Sequence, residues 1–243
     1  MKKFWNWIHD EAGGRVLRLE GPIDEESFWG DEATPKAFRE ELEAGSGDIT
    51  VWINSPGGNV FAAAEIYTML RDYKGAVTVK IDAIAASAAS VVAMAGSRVL
   101  MSPVAMLMLN DPSTIAYGNT KDMERAINTL NEVKESIINA YAAKSGLSHS
   151  RISNLMSNET WMNAKKAVEL GFADKILFAD GQGDVTNDAG EGMAVSDEMS
   201  APVMFSRQAV MNSMLSKLIP TKKPVEKRTP VDQLEKRLSL LSH

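Results

Sequence analysis

The chain has 243 residues, of which 44% are hydrophobic and 24% are charged, so it is long enough to bury one sizeable core and to carry a further segment. Its formal net charge of -6 argues against a nucleic-acid partner, and the absence of cysteine excludes disulfides, thiolate catalysis and cysteine-based zinc sites. No apolar run reaches the length of a membrane span, and the charged N-terminus does not suit a secretory signal. We therefore expect a cytoplasmic protein that binds neither nucleic acid nor membrane.

Residues that bind metal ions or phosphate groups are sparse. The three histidines are His9, His149 and His243, and none has another histidine or a carboxylate at a metal-ligand spacing. The glycine pair Gly57-Gly58 is not followed by Lys-Ser or Lys-Thr, so it does not match a phosphate loop. We expect no metal and no cofactor, and any use of ATP would belong to a partner.

The first predicted elements alternate strands with helices. Arg15 to Leu19 is predicted as a short strand, and Ala33 to Leu42 as an amphipathic helix. Ile49 to Asn54 is rich in β-branched and aromatic residues, which favours a strand. The turn Ser55 to Val60 and a helix from Ala62 to Tyr73 follow it, so this part of the chain predicts a βα unit.

A second βα unit contains the stretch that is the strongest candidate for a catalytic site. Ala76 to Ile81 is predicted as a strand, and the alanine-rich stretch Asp82 to Gly96 as a turn and a helix. A helix start supplies unpaired N–H groups, and small side chains let them approach a reacting carbonyl. Since turns after neighbouring parallel strands share one sheet edge, we expect Gly58 and Ser87 to face each other. From these residues alone, a nucleophile site and ordinary helix packing both remain open.

The remaining elements complete an α/β pattern. They are the strands Arg98 to Met101 and Ala105 to Leu109, a long helix from Thr120 to Ser145 stopped by Gly146, a short helix from Ser148 to Met156, an extended piece from Glu159 to Met162, a capped helix from Asn163 to Gly171 and a strand from Lys175 to Phe178. This order predicts an α/β fold, and we expect the long helix to project and to pack against another subunit.

The composition divides the chain into four segments. Residues 1–15 are predicted as an N-terminal segment and residues 16–179 as the main domain. Residues 180–200 contain acidic residues and glycines without lysine or arginine, which is typical of a solvated linker. Residues 201–243 form a basic tail with two short amphipathic patterns, for which docking and disorder both remain open.

Several motifs together resemble a known family. They are Ile53-Asn-Ser-Pro-Gly-Gly-Asn-Val60, Ala85-Ala-Ser-Ala-Ala89, Met108-Leu-Asn-Asp-Pro112, the long helix after Tyr117-Gly-Asn119, and the run from Glu159 to Asp174. In this order and spacing they resemble the Clp protease proteolytic subunit family of ClpP-like serine proteases, and within it the prophage and phage-head maturation type. The resemblance extends from about Val16 to Phe178. It implies the ClpP/crotonase-like fold of repeated βα units with a long handle-type helix.

The resemblance implies a serine nucleophile with two backbone donors. Ser87 falls on the family's nucleophile, and Gly58 and Ala88 fall on its oxyanion donors. Ser90 is the rival hydroxyl, but we expect it to pack inward. The implied substrate-binding residues are Gly57, Asn59, Val60, Asp111 and Pro112.

The implied proton relay departs from the family pattern. Glu159 falls on the acidic residue, but Asn110 occupies the position of the family's histidine. An amide cannot accept and return a proton at neutral pH, so Ser87 has no evident base. A deliberate inactivation and a natural loss of the histidine both remain open as the origin of Asn110. We expect the three histidines to lie at the surface. A Ser–Lys dyad, as in the related signal-peptide peptidases, would require Lys80 to reach the cleft from well below the end of its strand, and we do not expect it.

The implied activity is peptide-bond hydrolysis through an acyl-enzyme at Ser87, in phage or prophage capsid maturation or in general protein degradation. The implied partners are protein or peptide substrates, further copies arranged as stacked rings, and an ATP-driven unfoldase or phage capsid or scaffold proteins. Two alternatives remain: an inactive scaffold or assembly protein with the same fold, and a crotonase-like acyl-CoA enzyme.

Overall fold

A computed structural model describes residues 3–11, 13–23 and 35–178. The described residues form eight strands and six helices: β1 (Trp5–His9), β2 (Arg15–Glu20), α1 (Pro35–Glu43), β3 (Ile49–Ser55), α2 (Val60–Asp72), β4 (Val77–Ala86), α3 (Ala88–Ala93), β5 (Arg98–Met101), β6 (Met106–Leu109), α4 (Thr120–Ser145), α5 (His149–Ser157), β7 (Thr160–Asn163), α6 (Ala164–Glu169) and β8 (Lys175–Ile176). The linker and tail predicted for residues 180–243 lie outside the described residues.

The eight strands form one mostly parallel sheet. Its main path has the order β1-β2-β3-β4-β5-β8, in which β1 is antiparallel to β2 and the other pairs are parallel. Strand β6 pairs in parallel with the end of β4, and β7 pairs antiparallel with β6. The predicted α/β class is confirmed, and the architecture is consistent with the ClpP-like fold that the resemblance implies.

The core consists of alternate residues of the central strands and the apolar faces of the helices. In β3 the side chains of Ile49, Val51 and Ile53 are buried, as the alternation of a strand requires. Helix α1 contributes Phe38, and helix α2 contributes Ile66 among others. The helices therefore cover the sheet and keep its strand ends in fixed positions.

The N-terminal segment contributes a strand that the sequence analysis did not predict. Strand β1 pairs along its whole length with β2. The side chains of Phe4 and Trp5 are buried, and the Trp5 ring meets the Phe38 ring edge to face with centroids 5.4 Å apart. The segment was not predicted as a strand because its aromatic residues stand among charged and polar ones.

Strand β4 corrects the prediction for the alanine-rich stretch. It continues to Ala86, so the first part of the stretch Asp82 to Gly96 is strand, and helix α3 has six residues. The register with β3 shifts between Ile53 and Ser55, after which β4 exchanges its neighbour β5 for β6. Alanine favours helix in isolation, but strand partners on both sides override that preference.

Helix α4 agrees with its prediction at both ends. Asn119 caps it in a capping box with Asp122, and Gly146 ends it with φ 69°. Its buried residues all belong to its C-terminal half, whereas Met123 and Ile127 are exposed in its N-terminal half. Among the described residues, no helix combines the length and apolar character needed to cross a bilayer.

Candidate active site

Ser87 occupies the turn between strand β4 and helix α3. Its backbone has φ 54° and ψ -126°, a conformation that favours glycine and strains any residue with a Cβ atom. The flanking residues Ala86 and Ala88 are buried, whereas Ser87 itself is half-buried. A strained strand-to-helix turn that presents a partly accessible serine is the geometry of a nucleophile turn.

Hydrogen bonds on both sides hold this turn. The Ser87 N–H donates to the Met108 carbonyl on β6 at 3.0 Å, which extends the β4–β6 ladder by one bond. The Ser87 carbonyl accepts from the Ser90 N–H at 2.9 Å and from the Ser90 hydroxyl at 2.6 Å. The strained conformation of Ser87 is therefore fixed by neighbours on β6 and α3.

Ser90 has the inward position that we predicted. It is fully buried, and its Oγ lies 2.8 Å from the hydroxyl of Tyr141 on α4. Since the single proton of Ser90 is directed to the Ser87 carbonyl, the Tyr141 hydroxyl donates in this bond. Burial raises the pKa of Tyr141 above its ordinary value, so the phenol keeps its proton.

The glycine turn after β3 lies directly beside Ser87. A Cβ atom on Gly57 would be 2.6 Å from the Ala86 carbonyl oxygen and 2.9 Å from the Ala88 nitrogen. One on Gly58 would be 2.0 Å from the Ile23 carbonyl oxygen. Gly57 and Gly58 have φ values of 95° and 151°, so neither position accepts a side chain without strain.

The turn is oriented by a parallel bridge to Ile23. The Ile23 N–H donates to the Gly57 carbonyl at 2.9 Å, and the Asn59 N–H donates to the Ile23 carbonyl at 2.8 Å. In such a bridge the N–H of the central residue, Gly58, points away from the partner strand. The N–H of Ala88 opens helix α3 and has no acceptor within that helix. The two predicted oxyanion donors thus belong to adjacent backbone segments.

Two predicted substrate contacts, Asn59 and Val60, begin helix α2. The Asn59 side-chain oxygen caps the helix by accepting from the N–H groups of Phe61 and Ala62 at 2.8 and 3.0 Å. Val60 is the first residue of α2 and is half-buried. This cap joins the glycine turn rigidly to the helix that follows it.

Asn110 and Glu159 lie immediately beyond the last residue pair of the β6–β7 ladder, where Asn110 follows β6 and Glu159 precedes β7. Leu109 pairs with Thr160, so the antiparallel register brings the next residues, Asn110 and Glu159, opposite each other. Glu159 has φ 46°, and its Oε1 accepts from the Trp161 indole N–H at 3.4 Å. Both residues are half-buried, and the register places the predicted acid and the residue at the histidine position at the same end of the ladder.

Strand β6 also carries Asn110 toward the serine. It runs parallel to the end of β4 with Met108 opposite Ala86, so Asn110 follows β6 just beyond the point where Ser87 follows β4. The structure thus brings Ser87, the glycine turn, Asn110 and Glu159 to one edge of the sheet. No single sequence motif contains these four features.

A charged cluster next to Asn110 was not predicted from the sequence. Lys134 Nζ on α4 lies 2.8 Å from Asp111 Oδ1 and donates to Ser157 Oγ, also at 2.8 Å. The Ser157 hydroxyl donates to Asp111 Oδ2 at 3.1 Å. Asp111, predicted as a substrate contact, therefore has both carboxylate oxygens engaged within the protein, while Pro112 after it is half-buried.

Among the described residues, neither the histidines nor Lys80 lies beside Ser87 as an alternative base. His9 pairs with Arg15 at the start of β2, which is the opposite edge of the sheet. His149 begins α5, is exposed, and lies 2.6 Å from Glu135. The Lys80 ammonium lies over the Trp52 ring at 5.2 Å from its centroid, and Lys80 precedes Ser87 by seven residues, which is about 23 Å along a strand. His243 lies outside the described residues.

The chain is an α/β protein with a serine on a strained strand-to-helix turn, an architecture in which serine hydrolases occur. A family model described as "Clp protease" matches residues 15–180. The ATP-dependent Clp protease proteolytic subunit 1 of Chlamydia muridarum is 32% identical over 170 residues, covering 68% of this chain and 87% of that protein. The chain belongs to the Clp protease family, whose members are serine peptidases.

Other relatives agree over a shorter length. The ATP-dependent Clp protease proteolytic subunit of Bacteroides fragilis is 32% identical over 133 residues, which is 54% of this chain and 64% of that protein. The corresponding subunit of Porphyromonas gingivalis is 31% identical over 132 residues, which is 54% of this chain and 60% of that protein. The predicted family is confirmed.

Proposed function

We propose that the chain is a Clp-type peptide hydrolase in which Ser87 is the nucleophile and the N–H groups of Gly58 and Ala88 stabilise the oxyanion. The observation that carries the proposal is the strained Ser87 backbone beside the glycine turn. Such strain persists only where surrounding structure holds it, and it is typical of sites that expose a nucleophile. In such a site the serine oxygen attacks the peptide carbonyl, its proton passes through a base to the departing amine, and water hydrolyses the acyl-enzyme.

We propose that the proton relay is incomplete in this chain. Glu159 would orient a histidine at position 110, but the Asn110 amide has no basic nitrogen with which to accept the Ser87 proton. Loss of a triad member lowers turnover by on the order of 10⁴- to 10⁶-fold. The predicted substrate contacts Gly57, Asn59, Val60, Asp111 and Pro112 remain part of this proposal.

The Asn110→His variant tests both parts of the proposal. We expect it to cleave a fluorogenic peptide on the order of 10⁴-fold faster than the unchanged chain, because the relay then has its base. The matched control is the double variant Asn110→His/Ser87→Ala, which keeps the new histidine and removes the nucleophile. Equal rates for Asn110→His and this control would refute Ser87 as the nucleophile.

A second candidate function is favoured by Asn110 itself. A chain that keeps the fold and lacks the relay would serve as an inactive scaffold or assembly protein. In that case Asn110→His would gain no activity and a serine-reactive phosphonate would not label Ser87. The family assignment favours both of these candidates over the crotonase-like acyl-CoA enzyme.

We further propose that the chain assembles with copies of itself as stacked rings in the cytoplasm. The exposed apolar residues Met123 and Ile127 on the N-terminal half of α4 support a contact between subunits. The names of the relatives include "ATP-dependent". We propose that a partner, an ATP-driven unfoldase, would supply this use of ATP. A monomeric mass in solution at micromolar concentration would contradict the assembly.

The resemblance to prophage and phage-head proteases supports a narrower role in capsid maturation, with capsid or scaffold proteins as substrates. General degradation of proteins and peptides is the alternative. Comparing cleavage of a precursor capsid protein with cleavage of an unfolded protein by the Asn110→His variant separates the two roles. A preference for the unfolded protein would contradict the maturation role.

A further inference from the structure

The cluster formed by Asp111, Lys134 and Ser157 joins three elements that are distant in the sequence. Asp111 directly follows Asn110 after β6, Ser157 is the last residue of α5, and Lys134 lies within α4. Its three contacts are all between 2.8 and 3.1 Å. We refer to these residues as the Lys134 cluster.

The cluster lies where the β6–β7 ladder provides no further support. The last ladder pair is Leu109 with Thr160, so the backbone pairing ends immediately before Asn110 and Glu159. Strand ends open readily unless other contacts restrain them. Ser157 is two residues before Glu159 and Asp111 one residue after Asn110, so the cluster restrains both chains just beyond the ladder.

The Lys134–Asp111 ion pair is partly buried, which distinguishes it from an exposed surface pair. The side chains of Lys134 and Asp111 are 19% and 29% exposed, and Asp111 Oδ1 is itself buried. Oδ1 accepts no hydrogen bond among the described residues, and the Lys134 ammonium 2.8 Å away is its ionic partner. Removing Lys134 would leave a buried carboxylate oxygen unpaired, which costs more than the loss of an exposed pair.

We infer that Lys134 and Asp111 are positioning residues for the relay, an inference that rests on the proposed function. The cluster holds the backbone after β6 and before β7 so that residue 110 and Glu159 keep their distance from Ser87. A misplacement of about 1 Å in such a site lowers turnover on the order of 100-fold. Under this inference the side chain of Asp111 acts through the backbone of residue 110, and only the main chain of Asp111 remains a proposed contact with substrate.

A second lysine on α4 provides the matched control. Lys144 Nζ lies 2.6 Å from Asp174 Oδ2, which also accepts the Val99 N–H at 2.6 Å. This pair is likewise partly buried and ties the same helix to a loop, but that loop lies between α6 and β8. Lys144→Met should therefore reproduce a general loss of helix tethering without affecting the relay.

The kinetic test is made in the full chain carrying Asn110→His. We expect the added change Lys134→Met to lower kcat on the order of 10- to 100-fold with KM unchanged within about two-fold. Asp111→Asn should do the same, Lys134→Arg should restore much of kcat, and Lys144→Met should leave kcat unchanged. A rise in KM at constant kcat for Asp111→Asn would assign substrate contact instead and overturn the inference.

A measurement that needs no activity separates this inference from the proposed function. Amide hydrogen exchange of the chain with Asn110 unchanged should accelerate on the order of 10-fold in residues 109–111 and 158–161 on Lys134→Met, and not on Lys144→Met. Unchanged exchange there would overturn the inference whatever the kinetics. If exchange accelerates but the Asn110→His variant is inactive, the restraint by the Lys134 cluster is supported and the proposed peptidase function is rejected.

Discussion

The two halves of the candidate active site are built in different ways. The serine half, Ser87 with the Gly57-Gly58 turn, depends on backbone: bridged strands, small buried neighbours and φ values that only tight packing maintains. The relay half, Asn110 with Glu159, depends on two side chains that follow the end of a short ladder. The serine half has many restraints, whereas the relay half has few.

This difference has a direct chemical consequence. Many mutations would damage the serine half, because its N–H groups and its nucleophile share one packed backbone. In the relay half, one side chain decides whether a proton can move, while the strand that carries it is unaffected. We therefore expect that the fold and the nucleophile turn can persist after the relay is lost.

The largest effect that we expect concerns the second residue of the relay half. In the Asn110→His background, Glu159→Gln should lower kcat on the order of 10²- to 10⁴-fold, because the histidine loses the carboxylate that orients it. The control is Glu169→Gln, which removes a carboxylate from an exposed pair with Lys166. Comparable activity for the Glu159→Gln variant and its parent would remove Glu159 from the relay.

A smaller but still large effect should follow from a change in the serine half. Gly58→Ala should lower the free energy of unfolding by about 3 kcal/mol or more, because the new Cβ would be 2.0 Å from the Ile23 carbonyl oxygen. The matched control is Gly47→Ala, with φ 87° and no atom within 4 Å of a new Cβ, which should cost about 1–2 kcal/mol. Urea unfolding of both variants measures the difference, and equal losses would show that the turn can relax.

The smallest effect concerns the support beneath Ser87. Tyr141→Phe leaves the Ser90 hydroxyl without its donor and should cost about 1 kcal/mol at neutral pH. In the unfolded chain the phenol ionises near its ordinary pKa of 10.0, whereas burial raises the pKa in the folded protein. The unfolded chain therefore loses this proton first as the pH rises above 10, and stability falls.

The contribution of the phenol is fully present below pH 10 and decreases above it by up to about 1.4 kcal/mol per pH unit. Urea unfolding at pH 8 and pH 10.5 should show a larger loss for the unchanged chain than for Tyr141→Phe. Parallel losses in the two proteins would mean that Tyr141 ionises equally in both states.

The sequence predicted those features whose signals are local. Helix α4 runs from Thr120 to Ser145 and stops at Gly146, as the pattern predicted, and of the two candidate caps, Asn119 and Thr120, the structure has Asn119. The predicted end of β4 was wrong because alanines and a serine favour a helix. Only the pairing of this stretch with β3 and β6 shows that it is a strand. Strand β1 was not predicted because Trp5 becomes buried, and Trp7 partly buried, only when β2 lies beside them.

The candidate site could be only partly anticipated. Gly58 and Ser87 were expected at one sheet edge from βα topology, and the positions of Asn110 and Glu159 came from the resemblance. The Lys134 cluster left no sequence signal, since its members are separated by more than 20 residues and each charge alone is typical of a solvated surface. Such side-chain contacts depend on how helices and strand ends pack, which residue patterns do not specify.

Asn110 at the end of β6 also has a genetic consequence. The codons for asparagine and histidine differ only in their first base, so one nucleotide change exchanges the two side chains. If the proposed function holds, a single transversion separates a silent form of this gene from an active one. Populations that carry it could then acquire a peptidase in one mutational step, with no intermediate that must refold.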